Sequence, residues 1–132
     1  MIQKDYIQRM IDALSKVIGK LMSLPVPEGL DLLNMTAQDY VKLDLNDFRL
    51  LSETEFMDIL VREKAFHTNQ LEFLAELFYQ EGLLFQKAAN FENARASFQK
   101  ALLLFRYVDQ HQGTFSMERI QKMQFLEDQA SI

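Results

Sequence analysis

The chain has 132 residues, 14 Lys and Arg against 19 Asp and Glu, a formal charge of -5, and neither Cys nor Trp. That length suits one domain burying about two-thirds of its unfolded surface, and a hydrophobic content of 48% argues against disorder. Lack of Cys excludes disulfides, a thiol nucleophile and zinc–thiolate sites, and an acidic chain with no basic tail is a poor non-specific binder of duplex nucleic acid.

The opening segment sets Ile2, Tyr6, Ile7, Met10, Ile11, Leu14, Val17, Ile18, Leu21 and Met22 at helical spacing, with Lys4, Asp12, Lys16 and Lys20 free to face water. An amphipathic helix over 1–24 is predicted. Its charges are scattered among the apolar positions rather than separated as in a signal peptide, so the segment is expected to stay on a cytoplasmic protein. No stretch approaches the roughly 20 apolar residues that span a bilayer. Leu14, Val17, Ile18 and Leu21 form a candidate helix interface, which docks on its own chain, on a second copy, or on another protein. A membrane surface fits less well, because the basic excess is modest and no Trp anchors the helix.

Leu24-Pro-Val-Pro-Glu-Gly29 breaks this helix, since Pro lacks an amide donor and Gly29 permits a turn. Residues 25–51 read as a linker or corner, with either a short helix beginning near Thr36 and Asp39 or an irregular turn. Ser52 and Glu55 form a capping-box pattern, with Leu51 and Phe56 at staple positions, ahead of a helix from about Glu53 to Phe66. Asn69 and Glu72 offer a second capping box before an apolar run that predicts a helix to about Lys87. Residues 88–92 then lead into a helix ending near Asp109, whose Ala94, Phe98, Ala101, Leu102 and Phe105 face the preceding helix in an antiparallel pair. After a turn at 110–114, Ser116 caps a last helix carrying Ile120, Met123 and Leu126. The predicted fold is a single all-α domain over 1–132, with antiparallel helical hairpins in 52–132 and flanking capping helices.

The pair at 75–108 resembles one tetratricopeptide repeat. Phe78, Gly82, Phe85, Ala94, Phe98 and Ala101 occupy its recurring large, small, aromatic, small, aromatic and small positions. Glu81 departs from the pattern at a usually apolar position, and Arg106 stands where a proline is common. The same 34-residue frame upstream meets Asp44, Phe48, Leu51, Leu60, Lys64 and His67, so no second regular repeat is read there. The MIQKDYI opening followed by this pair also resembles a small family of bacterial proteins of unassigned activity. The repeat resemblance implies protein or peptide binding along the first helix of the pair, with Asn69, Glu72, Glu76, Tyr79, Gln80 and Gln86 as candidate groove residues.

Catalysis has weaker support. Glu63 and His67 would share a helical face if one helix reached that far, so the carboxylate could orient the imidazole, but no nucleophile accompanies them. His111 lies beside a turn and Asp109. Neither HExxH nor an EF-hand loop is present, Glu72 and Glu76 lack partner His residues, and the four Gly are too scattered for a phosphate cradle. The aromatics sit at core-like intervals without a basic ribbon for RNA. The expected function is a non-enzymatic interaction adaptor or small structural protein without a cofactor, and the alternative is a homo-oligomeric scaffold for another ligand.

Overall fold

The amphipathic opening folds as α1, Lys4–Leu21, which buries Met10, Val17 and Leu21. The computed structural model describes residues 4–130, so Ile2 of the predicted stripe lies outside the described residues. All regular elements among the described residues are helical.

Residues 25–51 correct the linker reading. Val26–Val41 form a sixteen-residue helix, α2, with Pro25 as its N-cap and Pro27 in its first turn. The two prolines that end α1 also begin α2, because first-turn amides have no intrahelical acceptor and a missing N–H costs nothing there. Thr36 does not start a helix; it is buried inside α2 and its hydroxyl donates to the Leu32 carbonyl at 2.7 Å. Lys42 closes α2 in the left-handed region, at φ 58°. A short helix α3, Leu45–Arg49, follows, with Asp44 accepting from the Asn46 amide.

The predicted 53–66 helix is also corrected. Ser52 caps α4, Glu53–Met57, by accepting from the Glu55 amide at 3.2 Å, but the Glu55 carboxylate bonds the Ser52 hydroxyl, not its backbone. The chain then widens into a π-helical segment, Asp58–Glu63, and reverses at Ala65, φ 52°. The N-cap of α5, Thr68–Lys87, is His67, whose amide donates to Gln70 Oε1 at 3.0 Å. Asn69 and Glu72, read as a capping box, lie inside the helix instead. Asn90 caps α6, Phe91–His111, and Ser116 accepts from the Arg119 amide to start α7, Met117–Ala130, as expected.

Helix α5 is central, packing on α1, α2 and α6. It is antiparallel to α6: Glu81 bonds Ser97, Gly82 meets Phe98, and both Glu72 and Asp109 reach Arg119. Helix α2 is antiparallel to α5, since Gly29 approaches Leu84 while Tyr40 meets Phe73. Contacts of Glu72, Glu76, Tyr79 and Gln86 with Arg119, Lys122, Phe125 and Gln129 make α7 parallel to α5. Phe56, Phe78, Phe98 and Phe105 are fully buried, and Phe56 stacks edge-on with Phe78 at 5.6 Å, carrying α4 onto the α5–α6 pair.

The α5–α6 spacing depends on Gly82, where an added Cβ would stand 2.5 Å from two carbons of the buried Phe98 ring. Gly82→Ala is expected to lower stability by about 1–3 kcal/mol through overpacking, despite alanine's better helix propensity. Gly19→Ala, with nothing within 4 Å of the added carbon, should raise stability by about 0.5–1 kcal/mol. Urea denaturation midpoints of the two variants should therefore move in opposite directions.

Candidate functional site

Three of the six predicted groove residues gather in one cleft. Asn69, Glu72 and Glu76 of α5, with Phe73, face Ile7, Met10, Ile11 and Leu14 of α1 across a cavity of about 140 Å³. The cleft exists because the apolar stripe of α1 lies over the first turns of α5, where that helix places carboxylates at i and i+4 on one face. One wall is aliphatic and the other is acidic, and no basic side chain among the described residues lines it.

Four of the six residues serve the chain's own last helix, which corrects the picture of an open groove along α5. Glu72 pairs with Arg119 at 3.4 Å and Glu76 with Lys122. Tyr79 packs edge-on against Phe125 with centroids 5.9 Å apart, and the Gln86 Nε2 donates to Gln129 Oε1 of α7 at 2.8 Å. The acidic face of α5 attracts the basic positions of α7, so much of the surface read as ligand-facing is an internal seam. Gln80 is half-buried. The candidate interface on α1 is likewise internal in part: Val17 and Leu21 are buried, while Leu14 and Ile18 are half-buried.

Burial tunes the cleft. The Glu76 side chain is 13% exposed, and burial raises its pKa above the usual carboxylate value although Lys122 opposes the shift. One of its oxygens takes Lys122, and Oε1 is buried without a donor among the described residues. A buried acceptor without a donor is costly, and this one belongs to a residue that lines the cavity.

Glu63 and His67 do not act together. The π-helical segment ends at Glu63, the backbone reverses at Ala65, and His67 begins a different helix. The His111 ring stacks on Tyr107 at 3.9 Å and meets that residue's carbonyl, a helix-end contact. Among the described residues, no three His, Asp or Glu side chains converge as a metal-holding group.

Among the described residues Arg49, Lys100 and Arg119 are buried cations that escape sequence reading, and two of them hold ion pairs. Arg119 joins Asp109, Glu72, Gln112 and the Thr114 carbonyl, fastening the 112–116 connection and α7 to the central pair. Arg49 pairs with Glu81 at 3.1 Å, with side chains 8% and 4% exposed. The Ser97 hydroxyl donates to the other Glu81 oxygen at 2.7 Å. Glu81 was visible in the sequence as a charge in an apolar repeat position, and Arg49 is the reason that charge is tolerated. Burial raises the Glu81 pKa, against the opposing effects of Ser97 and Arg49.

Removing one member of a buried pair leaves the other charge stranded. Arg49→Met is expected to destabilise the fold by about 3–5 kcal/mol at neutral pH, and the double variant Arg49→Met/Glu81→Gln by less. A raised acid pKa means the fold holds the neutral form more readily than the unfolded chain does. The loss in Arg49→Met should therefore shrink as pH falls and Glu81 takes up a proton. Denaturant titrations from neutral to mildly acidic pH check both statements.

Comparison with protein-family models, with curated proteins and with solved structures finds no match, so the functional reading rests on the side chains themselves.

Proposed function

We propose that the chain is a protein-binding helical module, an adaptor rather than an enzyme, that takes a short peptide segment into the cleft between α1 and α5. The observation that carries this reading is the cleft itself: an aliphatic wall opposite two carboxylates, with a buried Glu76 oxygen that lacks a donor. A cavity of about 140 Å³ accepts one aliphatic or aromatic side chain, being close in size to an engineered benzene-binding cavity. Glu72 and Glu76 already pair with Arg119 and Lys122, so what the cleft leaves for a ligand is the Glu76 Oε1, and that acceptor favours a hydrogen-bond donor such as Lys or Arg beside the anchor.

The helix arrangement supports a tetratricopeptide-like reading of α5 and α6, with α1–α2 and α7 as flanks. Antiparallel hairpins stack side by side, and a close approach within the central pair falls at the Gly82 and Phe98 positions. In such stacks the first helices of successive hairpins present the binding surface, and α1 and α5 hold that place here. No helix among the described residues is long and apolar enough to cross a membrane, and a cytoplasmic location belongs to the same proposal.

Ile11 lines the cleft yet is 51% exposed, so it can be changed without disturbing the core. Tagged wild-type chain, Ile11→Asp and the exposed control Met22→Asp would be used to capture proteins from native lysate. Captured proteins would be quantified by mass spectrometry, and peptides from any enriched protein titrated by calorimetry. A partner segment with an apolar residue next to Lys or Arg, bound by wild type and Met22→Asp and weakened at least about tenfold by Ile11→Asp, is the expected result. Binding that survives Ile11→Asp, or no captured partner, would overturn the proposal.

A further inference from the structure

A second concavity lies on the other side of α5, where α2, α3, α5 and α6 meet above the Arg49–Glu81 pair. Its volume is about 340 Å³, and its lining combines Pro27, Leu30, Asp31 and Asn34 of α2, Asn46 and Arg49 of α3, Glu81 and Phe85 of α5, and Asn93 of α6. Three carboxamides, a guanidinium and two carboxylates in one cavity are an unusual density of directional polar groups for a helical junction.

The Arg49 guanidinium is held on two sides. Its Nη1 donates to Glu81, and its carbon lies 4.9 Å from the centroid of the Phe85 ring. Nε is buried and has no acceptor among the described residues, although burying an arginine edge without an acceptor is costly. Asn34 is oriented as well. Its Oδ1 accepts from the Leu45 amide at 2.8 Å, which turns the NH2 end of the side chain into the available donor. Asp31, exposed and also lining the cavity, supplies an acceptor.

We propose that this cavity binds a small α-amino carboxylate, a free amino acid. Arg49 and Asn34 receive the carboxylate, Asp31 the ammonium, and the apolar surfaces of Pro27, Leu30 and Phe85 the side chain. The charge inventory decides against the simpler ligands. A dianion such as phosphate would meet Asp31 and Glu81 with a single cation to compensate. A plain amine would satisfy Asp31 and leave the Arg49 edge without an acceptor. A zwitterion answers both ends, and planar fork recognition of a carboxylate is what a guanidinium does best. This site is separate from the α1–α5 cleft, so its failure leaves the peptide-binding proposal untouched.

The experiment uses the full chain labelled with ¹⁵N and titrated with single L-amino acids, with acetate, inorganic phosphate, N-acetyl amino acids and amino-acid amides as probes lacking one feature each. Amide chemical shifts report the site directly. At least one amino acid should give saturable shifts at residues 27–34, 46–49, 81–85 and 93, with dissociation constants of about 1 mM or tighter. Its N-acetyl and amide derivatives should bind at least about tenfold more weakly. Asp31→Asn, a surface change that leaves Arg49 in place, should remove the preference for the free amino acid over the N-acetyl form. Arg49→Lys keeps the charge without the fork and should weaken the carboxylate whether or not it lowers stability. Because Arg49→Lys can also perturb the core, Asp31→Asn is the deciding variant. No saturable shift at these residues, equal response to acetate, or an amino-acid preference unchanged by Asp31→Asn would overturn the proposal.

Discussion

Phe98 lies against the bare backbone of Gly82, and the positions of the neighbouring helices follow from that contact. The approach brings α5 and α6 close enough for the residues preceding Gly82 and Phe98, Glu81 and Ser97, to share a 2.7 Å hydrogen bond. The Phe98 ring also meets Phe125 edge-on at 5.8 Å, a contact that helps seat α7. A second close approach, Gly29 of α2 against Leu84 just beyond, seats the N-terminal hairpin on the opposite flank of α5. Interior packing of this density transmits a displacement at one contact to the next, so the hairpin works as a rigid platform for both cavities.

Charge then selects the register that packing allows. Arg119 and Lys122 stand one turn apart on α7 and meet Glu72 and Glu76, one turn apart on α5. Sliding α7 by a turn would bring Arg119 opposite Glu76 in one direction or Lys122 opposite Glu72 in the other, and either shift breaks one of the two pairs and leaves its partly buried charges without their partners. The Arg49–Glu81 pair plays the same part for α3. Buried ion pairs add little net stability, and what they contribute is discrimination among arrangements of similar apolar burial.

The sequence was most legible where structure is local. Helical periodicity and the short connection read at 88–92 predicted the α5–α6 pair, and Ser116 marked the start of α7, because each signal lies within a turn or two of what it specifies. It was least legible where a residue has two physical meanings. Pro25 and Pro27 stop one helix and suit the start of another, and only the burial of Leu33, Ala37 and Val41 against the core decides for α2. The periodicity of 53–66 was real, yet the widening at Asp58–Glu63 is a backbone event that side-chain spacing does not encode. Glu72, Glu76, Tyr79 and Gln86 were legible as polar or amphipathic positions along α5. Their occupant was not legible, because the matching cations, ring and amide lie more than 40 positions away. Arg49 and Glu81, 32 positions apart, show the same gap, with the anomaly at Glu81 as the only local sign.

The route by which the chain reaches α5 also bears on how the molecule assembles. Helices α5 and α6 are joined by three residues, whereas α2 and α5 are separated by α3, α4, the π-helical segment and the reversal at Ala65. Closing a long loop costs more entropy than closing a short one, and early folding favours contacts near in sequence. The C-terminal hairpin is thus the natural nucleus, and the N-terminal hairpin adds to a surface already formed. Slow amide exchange would then concentrate in α5 and α6. Helix α1, which forms one wall of the peptide cleft, would open first and most often, so that cleft would breathe on a timescale set by docking of the N-terminal hairpin rather than by global unfolding.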